Sequence, residues 1–247
     1  MLSKGEKLNE KNRLASLPVV QPPIDVRLMF KKVGSLQYIS HLDLQRTFMR
    51  VINRACIPVW YTKGFNPHAK LVFSTPLSIG AQSVYEFLDI RIDRPMSFDE
   101  IKERLNRELT DELCILDVYY PKNDFHDIAW ASYEIEINTE GVDELLATEI
   151  QNTLTTSPFM LTKKTKSGEK EIDVVPLIKS AEVTLDSERG ALRISAILRA
   201  ASSEFLNPEL LISGLRAKHG ILCGDPMKES YSIMRTSIML EDLKLFK

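Results

Sequence analysis

Residues 25–56 read DVRLMFKKVGSLQYISHLDLQRTFMRVINRAC, and the period of their apolar positions changes once. Over 25–33 apolar and polar residues alternate, which predicts a half-buried strand. After Ser40 the apolar positions are Leu44, Phe48, Val51 or Ile52, and Ala55, the spacing of one helical face. A strand running into an amphipathic helix is the first half of a split βαβ unit. The following segments supply the rest: IPVWYT as a short strand, AKLVFSTPLSIG as an extended or strand-like connection and VYEFLDIRI as an alternating strand. SFDEIKERLNREL then reads as a helix capped at Ser97, and CILDVYYP as a strand. The predicted order is β-α-β-β-α-β, the ferredoxin-like plan.

The second half repeats that order without repeating the sequence. SYEIEIN is a strand and VDELLATEIQNTL a helix. FMLTKKTKSGEKEIDVV predicts a hairpin turning near Ser167-Gly168, and SAEVTLDSERGALRISAIL another turning at Glu188-Arg189-Gly190. NPELLISGLRAKHG is a helix with Pro208 in its first turn and Gly220 as its C-cap, and YSIMRTSIMLE closes the series. The expected fold class is therefore α+β, two tandem ferredoxin-like (βαββαβ) domains with antiparallel sheets. The expected organisation is a flexible arm at 1–23, a first domain at 24–123 carrying the candidate site, and a second at 130–247. Pro, Asn and Asp in PKNDFHDIAWA break the pattern between them.

Of 247 residues, 44% are hydrophobic and 27% charged, enough apolar mass for a globular core. No apolar run approaches the ~20 residues that span a bilayer, and residues 1–23 hold no apolar segment of the secretory kind. Three scattered cysteines, Cys56, Cys114 and Cys223, fit none of the spacings of zinc or iron–sulfur sites, so no metal is expected in this chain. Sparse, unpaired cysteines and the absence of membrane signals lead us to expect a cytoplasmic protein. The net charge of -2 hides an asymmetry: residues 25–94 carry ten Lys and Arg against five acids. A basic front half on an acidic remainder implies a directional partner surface.

The candidate site residues fall in that basic half. Ser40 followed by Asp43 is a helix-capping pattern, so Asp43 has a structural role to weigh against a catalytic one. His41 opens the same helix, whose N-terminus attracts anions. Arg46, Arg50 and Arg54 stand at i, i+4 and i+8 on one face, forked donors that match phosphate. YTKGFNPHAK, residues 61–70, crowds Lys63, Phe65, Asn66, His68 and Lys70 into a loop that Gly64 bends and Pro67 stiffens. Basic residues interleaved with aromatics compose a surface that tracks phosphates and stacks bases. From the expected topology, His41, Asp43, Asn66, His68 and Lys70 should converge on one pocket.

FKKVGSLQYISHLDLQRTFMRVINRACIPVWYTKGFNPHAKLVFSTPLSIGAQSVYEFLDI, with its S-H-L-D-L-x-R and G-F-N-P-H-x-K elements, resembles the bacterial radical SAM-linked protein family, a domain of unknown function. The resemblance covers most of residues 24–240 and is strongest before residue 95. It implies a stand-alone member whose iron–sulfur cluster and S-adenosylmethionine would sit in a separate radical SAM protein. It also implies proximity to RNA processing. Three readings follow: an RNA-binding, substrate-presenting accessory in tRNA or rRNA modification; a free-standing RNA-modifying or RNA-cleaving enzyme using Asp43, His41 and His68; and a protein-binding adaptor without nucleic acid.

Overall fold

The structure, a computed structural model, describes residues 3–75, 77–156, 158–165, 168–186 and 188–247. The chain is of mixed α+β class, with five α-helices among the described residues and antiparallel strand pairing. It divides into two compact units, residues 1–79, 83–124 and 247 in the first and 80–82 and 125–246 in the second.

The first unit contains α1 (Lys4–Ser16), β1 (Ile24–Lys32), α2 (His41–Arg54), β2 (Val72–Phe73), β3 (Ala81–Ile92, of which 81–82 belong to the second unit), α3 (Phe98–Asn106) and β4 (Leu113–Tyr119). Strand β1 pairs antiparallel with both β3 and β4, and β2 pairs antiparallel with β3, giving the order β4-β1-β3-β2. Alternation sends Val26, Leu28 and Phe30 of β1 and Leu88, Ile90 and Ile92 of β3 to one face. There they meet Leu44, Phe48, Val51 and Ile52 of α2 and Ile101 and Leu105 of α3. Burying each such side chain contributes about 1.5–3 kcal/mol relative to leaving it in water.

Two sequence expectations change here. IPVWYT does not form a strand. Val59 and Tyr61 make only isolated bridges, to Ile92 and Ala69, and the paired residues are Val72–Phe73, inside the segment read as an extended or strand-like connection. Pro58 removes a ladder donor at the point where a strand would have to extend. Residues 4–16, read as part of an arm, form α1. Its Ser3 N-cap and Glu6 make a complete capping box. Leu14 is buried, and Glu10 and Arg13 pair with Arg104 and Glu100 of α3. With so few apolar residues the helix leaves almost no periodic signal; ion pairs and caps define it.

The second unit orders β5 (Trp130–Asn138), α4 (Glu144–Thr155), β6 (Met160–Thr165), β7 (Gly168–Asp173), β8 (Ile178–Asp186), β9 (Ala191–Arg199), α5 (Pro208–His219) and β10 (Ser230–Met239). Its sheet runs β10-β5-β9-β8, every neighbour antiparallel, and β6-β7 is a separate hairpin. Of the predicted turn near Ser167-Gly168, Ser167 lies outside the described residues. Helix α5 starts on Asn207 with Pro208 at its head and ends on Gly220 at φ 70° and ψ 14°, the left-handed cap that the sequence calls for. No helix among the described residues is long and apolar enough to cross a membrane.

Candidate nucleic-acid interface

Helix α2 is positioned from both ends. Before it, the buried Lys32 donates to the carbonyls of Leu36 and Gln37, 3.4 Å each, which fixes the turn leading to Ser40. Ser40 then caps the helix: its Oγ accepts from the Asp43 N–H at 3.1 Å and donates to Asp43 Oδ2 at 2.8 Å. Arg46 Nη1 donates to the other carboxylate oxygen at 3.1 Å. The Ser40 hydroxyl first, and the Arg46 guanidinium second, hold the Asp43 carboxyl below its ordinary value. A lowered folded pKa stabilises the fold above the ordinary aspartate pKa, and that contribution fades as pH falls through the lower folded value. Replacing Ser40 with alanine is expected to cost about 1 kcal/mol of stability and to raise the Asp43 titration midpoint. Carboxyl NMR titration and denaturant unfolding check the two halves separately.

His41 is exposed, and its ring meets Phe73 edge-on at 5.2 Å between centroids. Phe73 in turn packs against Phe48 and Phe30, so His41 closes the end of an aromatic cluster. The three arginines of the stripe have different surroundings. Arg46 is tied to Asp43. Arg54 Nε lies 2.7 Å from Glu108 Oε2, an ion pair with a nearly buried carboxylate. Arg50 is exposed and has no ion-pair partner among the described residues.

The loop after Tyr61 is a closed lobe. At its neck the Thr62 N–H donates to the His68 carbonyl at 3.0 Å, and the His68 N–H donates to Thr62 Oγ1 at 3.2 Å. His68 Nδ1 lies 3.1 Å from the Asn66 carbonyl oxygen and 3.2 Å from Thr62 Oγ1. A carbonyl only accepts, so Nδ1 carries the proton, and in the neutral ring Nε2 is the acceptor. Gly64, at φ 145°, takes a backbone angle that L side chains avoid and turns the tip. Residues 63–68 and Lys70 are all exposed, and Phe65 at the tip is fully so. Lys63 and Lys70 have no ion-pair partner among the described residues. The Tyr61 hydroxyl donates to Asn53 Oδ1 at 3.1 Å, pinning the stem beside the C-terminal end of α2.

That anchor decides the expected pocket. Asn53 lies twelve residues along α2 from His41, about 18 Å at the helical rise. No hydrogen bond or ion pair among the described residues joins His41 or Asp43 to Asn66, His68 or Lys70. The chain touches β3 at Val59–Ile92 and leaves it as the lobe; only Phe73 arrives beside His41. The lobe thus sits along the return path instead of at its end. Two groups result: the capped helix start with His41, Asp43 and Arg46, and the lobe with Lys63, Phe65, Asn66, His68 and Lys70.

Sequence reasoning missed Arg27, whose alternation places it on the sheet face away from the helices. It is 1% exposed and makes a forked pair with Asp89, Nε and Nη2 each 2.7 Å from one oxygen, while Nη1 donates to the Asn123 carbonyl at 2.9 Å. Burial pushes the Asp89 carboxyl up from its ordinary value against the pull of Arg27. The signal available was an arginine and an aspartate each set inside an apolar strand.

The family described as "Uncharacterized protein conserved in bacteria (DUF2344)" matches residues 26–208. No curated protein matches. Among solved structures, a variant of Rhodococcus jostii RHA1 DypB in complex with heme is similar over 90% of this chain and 96% of its own, at 12% identity and a TM-score of 0.21. A likeness that loose carries no argument.

Proposed function

The chain belongs to the DUF2344 family, and we propose that it is an RNA-binding module that presents tRNA or rRNA to a modifying enzyme. The observation that carries this reading is the lobe tip: a fully exposed Phe65 set among exposed Lys63, Asn66, His68 and Lys70 on a neck held by four contacts. Holding a large aromatic in water costs free energy that a stacked base recovers, and the flanking lysines lie where its phosphates would run. Arg50 extends the cationic surface along α2.

The resemblance to radical SAM-linked proteins supplies the partner in this proposal, a separate protein holding the iron–sulfur cluster and S-adenosylmethionine. Cys56, after α2, Cys114, on β4, and Cys223, after α5, are buried, half-buried and exposed, a donor set that does not fit a cluster. In the same reading both units are ferredoxin-like. The strand orders β4-β1-β3-β2 and β10-β5-β9-β8 support it, each being 4-1-3-2 once the β6-β7 hairpin is counted as an insertion. Catalysis by His41, Asp43 and His68 draws less support, since each is engaged in local packing or hydrogen bonds.

Binding to single-stranded RNA should weaken with salt. Three unpaired cations, Arg50, Lys63 and Lys70, give an expected slope of log K against log salt of about -2, or roughly a 20-fold loss between 50 and 200 mM. Fluorescence anisotropy with a labelled oligoribonucleotide measures it. Absent binding, or binding indifferent to salt, overturns the proposal.

A further inference from the structure

On α1, Lys4, Lys7, Leu8, Lys11, Leu14 and Ala15 share one helical face, the i, i+3, i+4, i+7 stripe that a docked helix ordinarily makes apolar. Leu14 fills its place and is buried. Where the next turns would pack, three lysines stand instead, and a cavity of about 410 Å³ opens between them and the end of α2. Asn53, Arg54 and Cys56 complete its lining, and an adjoining cavity of about 390 Å³ runs past Asn53 and Cys56 to Ile57, Pro58 and the paired Asp93 and Arg94.

The charges of the first cavity are unbalanced, since no acid lines it. Both acids of α1 are committed, Glu6 to the Ser3 cap and Glu10 to Arg13 and Arg104. Lys4, Lys7 and Lys11 have no ion-pair partner among the described residues. The C-terminal end of α2 faces them with the partial negative charge of its last carbonyls, about half an elementary charge, which offsets only a fraction of three ammonium groups. The rim is therefore strongly cationic. The floor is not: Leu8, Cys56 and the lysine methylenes offer apolar surface. Asn53 adds a polar handle, its Oδ1 already accepting from Tyr61.

We infer that the α1–α2 cavity is a nucleotide site, in which a base lies on the Leu8–Cys56 floor beside Asn53 and a phosphate is held by Lys4, Lys7 and Lys11. Its volume is in the range of small-molecule sites. The occupant is either a free nucleotide or the 5′-terminal nucleotide of an RNA, and Asn53, bonded to Tyr61 at the lobe stem, makes the second source geometrically continuous with the lobe. The inference goes beyond the lobe reading and does not need it.

The probes are AMP, and one 3′-labelled oligoribonucleotide prepared with a 5′-phosphate and with a 5′-hydroxyl. The intact chain is expected to bind AMP, and Lys7→Gln with Lys11→Gln to weaken that binding at least tenfold. Lys7→Arg with Lys11→Arg should keep it within about threefold, and Lys228→Ala with Lys244→Ala, removing two exposed lysines of the second unit, should leave it unchanged. Circular dichroism shows whether α1 remains folded. A 5′-phosphate that tightens the oligonucleotide severalfold assigns the site to an RNA end. Equal affinities with AMP binding intact assign it to a free nucleotide. No AMP binding by the intact chain, or equal AMP binding by the glutamine pair, overturns the inference. RNA binding that survives in the glutamine pair leaves the lobe reading standing, so the two fail separately.

Discussion

Replacing Arg27 with alanine is expected to cost the first unit about 3–5 kcal/mol, because it leaves a mostly buried carboxylate without its partner. The Arg27 side chain is 1% exposed and that of Asp89 22%. Two 2.7 Å contacts join them, a third donor satisfies the Asn123 carbonyl, and the guanidinium lies 5.9 Å from the Phe87 ring centroid. Truncation therefore strands Asp89 and the Asn123 oxygen together. The Tyr119 hydroxyl, opposite Arg27 on β4, is buried and has no hydrogen-bond partner among the described residues. The pair was costly to desolvate in the first place, so removing both charges at once should hurt less than removing one. Arg27→Met with Asp89→Leu is expected to recover most of the loss. Denaturant unfolding of the two variants decides it. An Arg27→Ala variant within about 1 kcal/mol of the parent would show the pair to be solvated and dispensable.

Arg27 also marks where the sequence stops being readable. The alternation of DVRLMFKKV predicted a half-buried strand, and Val26, Leu28 and Phe30 are its helix-facing residues. By the same rule Arg27 falls on the opposite face, and nothing in a period of two says whether that face is covered. The helices were legible wherever an apolar stripe met a cap: Ser40 before α2, Ser97 before α3, and Pro208 and Gly220 at the ends of α5. Helix α1 has the cap without the stripe, since its anchors are Leu14 and ion pairs to α3 that no local pattern encodes. The second strand was misplaced for a related reason. Trp60 and Tyr61 carry strand propensity, but ladder pairing is a tertiary contact, and β3 takes Val72 and Phe73 instead. The candidate site inherited that error. Residue types and exposure in 61–70 were readable from composition, whereas their distance from His41 depended on where the strand began.

Phe65→Ala is expected to weaken RNA binding by about 1–3 kcal/mol, roughly 5- to 150-fold, the range for losing one base–aromatic stack. Stability should hardly move, within about 0.5 kcal/mol, because the ring buries nothing in the free protein. The neck contacts of Thr62 and His68 do not involve it. Lys63→Ala with Lys70→Ala should produce a different signature. Each lysine that neutralises a phosphate contributes about 0.7 to the salt slope on single strands, so the pair should flatten it by about 1.4. Loss of the phenyl ring should lower affinity at every salt concentration and leave the slope alone. The contrast separates stacking from charge, since any cationic patch would pass the lysine test and only a stacking platform passes both. Wild-type affinity in Phe65→Ala, measured across the same salt series, would reduce the lobe to an electrostatic contact and remove the argument drawn from its exposed ring.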